Sequence, residues 1–168
     1  MLSIMPCTIK MTSKDHLHII RSHTKLVLTN GVFDILHSGH IELLYKAKTA
    51  FGLTSLVVAL NTDESAKKYK GPKRPCNGYM ERAMVLAALE MVDYVIPMAD
   101  ENASELLRNI QPHYYCKGGD YDLNDSKKWP ELTVCKELGI TVKSIPLRPK
   151  VSTSNLVKSI IIKEAKFK

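Results

Sequence analysis

Short apolar runs alternate with amphipathic stretches along the chain. The runs Lys25–Thr29, Ser55–Leu60, Tyr94–Ile96, Tyr114–Cys116 and Thr141–Ile145 are too short for helices and rich in strand-forming residues, which predicts strands. Helical spacing between and around them predicts helices at Thr12–Ser22, Gly39–Phe51, Tyr79–Glu90, Ala103–Ile110, Trp129–Leu138 and Thr153–Ala165. In Gly39–Phe51 the apolar stripe Ile41, Leu44, Ala47 and Phe51 faces a sheet, with Lys46 and Lys48 outward. Tyr79–Glu90 is apolar almost all round through Met84–Leu89, which predicts burial or a subunit interface.

Strands that alternate with helices predict an α/β fold: a Rossmann-like, doubly wound, parallel five-stranded sheet with helices on both faces. Residues 1–24 are expected to form an N-terminal extension whose helix packs on the domain, and residues 25–168 the domain itself. Sheets of this kind bind ligands beyond the carboxyl ends of their strands, where strand order reverses. The segments Asn30–His40, Asn61–Asn77, Lys117–Asp122 and Ile145–Ser154, all read as loops, are therefore expected to meet in one cleft.

With 168 residues, 45% of them hydrophobic, the chain can bury a sizeable core. No apolar run approaches the roughly twenty residues of a membrane span, and Met1–Lys10 lacks the features of a secretion signal. Cys7, Cys76, Cys116 and Cys135 are scattered without a CxxC pair, as expected for reduced thiols in a cytoplasmic protein. The net charge of +7 suits either nucleic acid or a polyphosphate pocket. Aromatic residues are not interleaved with the lysines, which disfavours nucleic acid. Lys158, Lys163, Lys166 and Lys168 read as a solvated helix face. Lys67, Lys68, Lys70, Lys73 and Arg74 fall instead in a segment punctuated by Gly71, Pro72 and Pro75.

The densest chemistry lies in Thr29-Asn-Gly-Val-Phe-Asp-Ile-Leu-His-Ser-Gly-His40. A strand runs into a tight turn, and the turn opens a helix whose first N–H groups favour an anion. Gly39 admits close backbone approach, and His37 and His40 add donors beside it. This suits a nucleoside triphosphate. A metal half-site or two structural side chains are the alternatives; His16, His18, His23, His113 and the cysteines supply no ligand spacing for a metal, and none is expected. The chain contains neither GxxxxGK[ST] nor GxGxxG.

Further blocks follow: Asn61-Thr-Asp63, Lys70-Gly71 with Arg74-Pro75, Glu81-Arg82, Lys117-Gly-Gly-Asp-Tyr121 and Val151-Ser-Thr-Ser-Asn155. Together with the histidine block, over about Lys25–Ile160, they resemble the HxGH nucleotidyltransferase superfamily in its cytidylyltransferase-like branch. They are most similar to the adenylyltransferase domain of bacterial ADP-heptose synthases and fit glycerol-3-phosphate cytidylyltransferases less well. The resemblance implies direct attack of an acceptor phosphate on the α-phosphorus, with pyrophosphate leaving and no covalent enzyme intermediate.

It also implies roles. His37 and His40 donate to the triphosphate and the transition state, and Lys70 supplies a cation to the phosphates. Arg82 contacts acceptor or nucleotide phosphate, a surface ion pair being the alternative. Thr29, Asn30, Gly31 and Phe33 shape the nucleotide floor through main chain, and Asp34 either fixes the turn or meets ligand. Gly39, Lys117, Gly118 and Asp120 hold nucleotide, as do Val151, Ser152, Thr153 and Ser154 at the start of the last helix, where Ser154 replaces a usual threonine. Arg148 stands three residues before Val151 rather than the family's four and is flanked by Pro146 and Pro149, so its role does not transfer.

The function so implied is transfer of a nucleoside monophosphate, AMP from ATP, to a phosphorylated sugar such as heptose 1-phosphate. Mg2+ would accompany the triphosphate. The expected partners are these two substrates, a second copy of the chain in a homodimer, and a separate upstream sugar kinase, with no nucleic acid and no membrane. Transfer of CMP to glycerol 3-phosphate, an aminoacyl-tRNA-ligase relative, and a non-catalytic nucleotide- or nucleic-acid-binding module are the competing readings. The chain is short for the second of these.

Overall fold

A computed structural model describes residues 10–119, 129–146 and 152–164. Asp120, Arg148, Val151, Lys166, Lys168 and Cys7 lie outside the described residues. The elements in chain order are α1 (Lys14–His23), β1 (Leu26–Gly31), α2 (Ser38–Thr49), β2 (Ser55–Asn61), α3 (Asp63–Lys70), α4 (Tyr79–Ala87), β3 (Tyr94–Met98), α5 (Ser104–Ile110), β4 (Tyr114–Gly118), α6 (Pro130–Leu138), β5 (Thr141–Ile145) and α7 (Thr153–Glu164).

The five strands are all parallel and lie in the order β3-β2-β1-β4-β5. The chain starts at the centre, builds outward to β3, and then returns to the other side of β1. Strand order therefore reverses between β1 and β4, where such a sheet leaves a crevice.

Alternation along each strand divides the core into two layers. Leu26, Leu28, Val57 and Ala59 point into one, where they meet Leu17 of α1, Leu106, Leu107 and Ile110 of α5, and Val134 and Cys135 of α6. Val27, Leu56, Val58 and Leu60 point into the other, against Leu43, Leu44 and Ala47 of α2 and Ala83, Leu86 and Ala87 of α4. Both faces of the sheet are covered, which accounts for strands that read as continuous apolar runs. Residues before β1 belong to this packing: Leu17 is fully buried and the Thr12 N–H donates to the Val95 carbonyl at 3.1 Å, beside the edge strand.

Three expectations need correction. The segment Asn61–Asn77 is not a continuous loop, because α3 occupies its first half. Thr62 caps α3 by accepting from the Ser65 N–H, Asp63 and Glu64 sit in the first turn, and Lys67, Lys68 and Lys70 fill the last. Each complements the helix dipole, so capping and charge form a helix where the apolar stripe is almost absent. In α2 Leu44 and Ala47 of the predicted stripe are buried, together with Gly39 and Leu43, while Ile41 is only half-buried. Lys48 turns inward to Asp93 at 2.6 Å and to the Thr54 carbonyl. Helix α4 ends at Ala87, short of the predicted Glu90, and Met80 and Val85 are about half exposed, which excludes burial all round within one chain and leaves the interface alternative.

Candidate active site

The crevice forms a cavity of about 630 Å³. Cavities of this size accommodate small-molecule ligands. Of the predicted site residues that the structure describes, Asn30, Gly31, Phe33, Asp34, His37, Gly39, His40, Lys70, Lys117, Gly118, Ser152, Thr153 and Ser154 line it. Four separate segments of the chain thus converge. Thr29 and Arg82 do not line the cavity.

The turn after β1 is built around Phe33, which takes a positive φ of 44°. This conformation costs a side chain roughly 1–2 kcal/mol, and burial of the ring offsets it. A Cβ on Gly31 would meet Phe33 Cε2 at 3.0 Å, so a side chain there would push against the ring. The Phe33 ring lies 5.2 Å from that of His40, and the His40 and His37 rings stack at 3.8 Å. His37 is the N-cap residue of α2: its carbonyl accepts from the N–H of His40 and Ile41, while its side chain is left free of the capping role. The first turn of α2 carries no acidic residue to compete for the helix N-terminus.

The surroundings disfavour the protonated form of both imidazoles. Desolvation lowers His37, and desolvation together with the charge of His37 lowers His40 to about 4. The Nδ1 atoms of both rings are buried without a hydrogen-bond partner. Two stacked imidazoles with unspent polar atoms at a helix N-terminus form a site in which an anion would raise both pKa values.

Asp34 fastens the turn to the segment that follows α3. Its carboxylate accepts from the Cys76 N–H (2.8 Å), the Asn77 N–H (3.0 Å) and Arg74 Nη1 (2.6 Å). Burial alone would raise the pKa of Asp34, but these donors and the Arg74 charge bring it below its ordinary value. The carboxylate fixes the turn, as one of the two expectations has it, and the residue also lines the cavity. Lys70, the last residue of α3, lies on the cavity wall with its ammonium 4.6 Å above the Tyr69 ring.

Arg82 makes an ion pair, as the alternative has it, but a buried one rather than one at the surface. Its side chain is fully buried, donating to the carbonyls of Asn77 and Val32 and pairing with Asp63 Oδ1 at 2.7 Å. It ties α3, α4 and the turn after β1 together from behind the cavity. Thr29 is likewise enclosed within β1, its hydroxyl without a partner.

At the start of α7 the Ser152 hydroxyl accepts from the Asn155 N–H, and Thr153 Oγ1 donates to the Ile35 carbonyl at 3.3 Å. The first contact caps the helix; the second brings its N-terminus beside the histidine turn.

The cavity also takes in Asn61 and Arg74, which lie in the sequence blocks but carry no assigned role there, and Tyr69, Glu101, Asn102, Trp129 and Glu131, which the sequence does not single out. Glu131 is 1% exposed, and its Oε1 accepts from Lys117 Nζ at 2.6 Å and lies 3.5 Å from both Tyr115 Oη and the Ala103 N. Tyr115 Oη donates to Asn30 Oδ1 at 2.7 Å. Burial would raise the Glu131 pKa, yet Lys117 and the backbone donors hold it below its ordinary value. Lys117 Nζ also lies 5.2 Å from the Trp129 ring centroid. No sequence spacing announces this group. Among the described residues no cluster of three or more His, Cys, Asp or Glu side chains could hold a metal ion, and no helix is long and apolar enough to cross a membrane.

Comparisons with known proteins agree with this geometry. The profile of the cytidylyltransferase-like family matches residues 28–165. The bifunctional protein HldE of Pelobacter propionicus is 40% identical over 141 residues, covering 82% of this chain and 27% of that protein. HldE of Wolinella succinogenes is 43% identical over 136 residues, covering 81% of this chain and 27% of its own length. The chain therefore spans about a quarter of the length of these curated relatives. A lipopolysaccharide core biosynthesis protein from Thermoplasma volcanium superposes with a TM-score of 0.57 at 27% identity, over 74% of this chain and 97% of that one. Pantoate-beta-alanine ligase from Francisella tularensis, solved with an ATP analogue and beta-alanine, shares the fold at 15% identity with a TM-score of 0.54, over 92% and 77%. A parallel sheet reversing at β1/β4, a His-Ser-Gly-His turn at that reversal and a matching profile over most of the sequence lead to one assignment: the chain belongs to the cytidylyltransferase-like family of nucleotidyltransferases.

Proposed function

We propose that this chain transfers AMP from ATP to heptose 1-phosphate, releasing pyrophosphate and forming ADP-heptose. The observation that carries the reading is the stacked His37–His40 pair at the N-terminus of α2, facing Lys70 and the start of α7 across one cavity. Similarity to HldE proteins over most of the chain supports the heptose branch.

In this reading the triphosphate lies along the N-termini of α2 and α7. The acceptor phosphate attacks the α-phosphorus in line, the new P–O bond forms as the bond to the β-phosphate oxygen breaks, and pyrophosphate carries off the electron pair. His37 and His40 donate to the oxygens on which charge builds, and Lys70 and the helix N-termini add positive potential. No side chain is required as a nucleophile. Ser152, Thr153 and Ser154 hold the phosphates, while Asp34 keeps the turn and the Arg74 segment in register. Mg2+ enters as the counterion of ATP, since the described residues offer no cage of their own.

The reading places the enzyme in the cytoplasm, as a homodimer, downstream of a kinase that makes the sugar 1-phosphate. The reduced, buried Cys116 and Cys135 suit that compartment, and Met80 and Val85 on α4 offer apolar surface to a second copy. The test is pyrophosphate release with ATP, CTP, GTP and UTP, each paired with heptose 1-phosphate and with glycerol 3-phosphate. Turnover with ATP and heptose 1-phosphate is the expected result. Turnover confined to CTP and glycerol 3-phosphate would overturn the assignment.

A further inference from the structure

The cavity has two chemically different walls. On the α2 side stand the histidines, Lys70 and Arg74, together with the N-terminus of α7: donors and cations suited to phosphate. The opposite wall is formed where α5 and α6 begin, on the other face of the sheet. Glu131 organises it. That carboxylate lies between the two helix starts, 3.5 Å from the Ala103 N and 2.6 Å from Lys117 Nζ. Lys117 therefore meets the cavity with its charge offset by a buried partner, and the neighbouring groups Glu101, Asn102 and Asn30 add no cation. Asn102 Oδ1 accepts from the Ser104 N–H, which directs the residue's acceptor into the start of α5 and leaves its amide N–H groups for another partner.

A wall of carboxylate, carboxamide and paired ammonium groups is poorly matched to a polyphosphate. It is well matched to hydroxyl groups, each of which donates one hydrogen bond and accepts others. We propose that this wall is the subsite for the hydroxyl-bearing sugar of the acceptor, with Glu101, Asn102 and Lys117 as its contacts and Glu131 as the positioning residue that fixes Lys117. Lys117 is thereby assigned to the acceptor rather than to the nucleotide, where the resemblance puts it. This rests on the proposed sugar-phosphate acceptor and assigns the part of the cavity that distinguishes a sugar from a smaller alcohol phosphate. A buried ion pair contributes little net stability over an apolar replacement, so its presence here is accounted for by the orientation it imposes.

The experiment is calorimetric titration of the full chain with heptose 1-phosphate, inorganic phosphate and ATP, using wild type and the variants Glu131→Gln, Asn102→Asp and Glu101→Ala. Asn102→Asp keeps the oxygen that accepts from the Ser104 N–H, and Glu101 is exposed, so these two test the subsite even where Glu131→Gln weakens the fold. Each variant is expected to bind heptose 1-phosphate about tenfold more weakly, the effect of losing one hydrogen bond to a charged or well-placed partner. ATP and inorganic phosphate should stay within about twofold of wild type. Equal loss of ATP and sugar phosphate would give the wall to the nucleotide and overturn the proposal, as would unchanged heptose 1-phosphate binding in all three variants. A wild type that binds ATP but not heptose 1-phosphate would instead refute the acceptor itself, and the subsite with it.

Discussion

Acidification should destabilise this protein through His40 before it reaches any carboxylate. Burial and the neighbouring His37 take His40 from an ordinary 6.5 down to about 4 in the folded chain. Between those values the unfolded chain binds a proton that the native site refuses. Stability is therefore full above pH 6.5 and falls as the pH drops toward 4. Integrating the linkage from pH 7 to pH 5 gives about 2 kcal/mol, which partial solvent exposure of the ring reduces to about 1–2 kcal/mol. His37, shifted in the same direction, adds to the loss. The assay is urea unfolding of wild type and His40→Gln at pH 7 and pH 5. The variant lacks the titrating group, so its loss on acidification should be smaller than that of wild type by about 1–2 kcal/mol. Identical losses in the two proteins would refute the claim that His40 is held neutral by its surroundings.

The same electrostatics predict that MgATP binding takes up protons. Titrations near pH 6 in two buffers of different ionisation enthalpy should report net uptake, and release would contradict phosphate contact at the histidines. Asp34→Asn should cost about 2–3 kcal/mol, because Arg74 loses its carboxylate in a nearly buried pair whose side chains are 18% and 5% exposed; urea unfolding measures it. The stabilisation from Asp34 is present above the ordinary carboxylate pKa and disappears as the pH falls through its lowered folded value. Arg82→Lys should destabilise by about 3 kcal/mol, since an ammonium cannot span the Asn77, Val32 and Asp63 acceptors at once. A melting temperature equal to wild type would show that those contacts are not what holds α3 to α4.

The parts of this molecule that could be read directly from sequence are those with local causes. The histidine turn is one, because Gly31, Gly39 and the two imidazoles lie within ten residues and the strand-turn-helix signals surround them. The strands are another, since burial on both faces leaves unbroken apolar runs. Helix α3 was obscured because Ser65 and Ala66 are its only buried residues, so periodicity says nothing and the lysines with Gly71 and Pro72 suggest a loop. Thr62, Asp63 and Glu64 nevertheless carry a capping signal that outweighs the missing stripe. The burial of Arg82 and Glu131 was not legible at all. Their partners, Asp63 and Lys117, stand 19 and 14 residues away, and only the tertiary fold brings those charges together away from water. A charged side chain in an amphipathic pattern reads by default as solvated.

The central claim is that the stacked imidazoles at the head of α2 stabilise charge during nucleotidyl transfer. It is tested most directly by the turnover number for pyrophosphate release, with saturating ATP and heptose 1-phosphate, in wild type, His37→Ala and His40→Ala. Loss of a preorganised donor at that position should lower turnover by a factor on the order of 100 or more, about 3 kcal/mol of barrier, with the circular dichroism spectrum unchanged. Rates within a few-fold of wild type in either variant would contradict it.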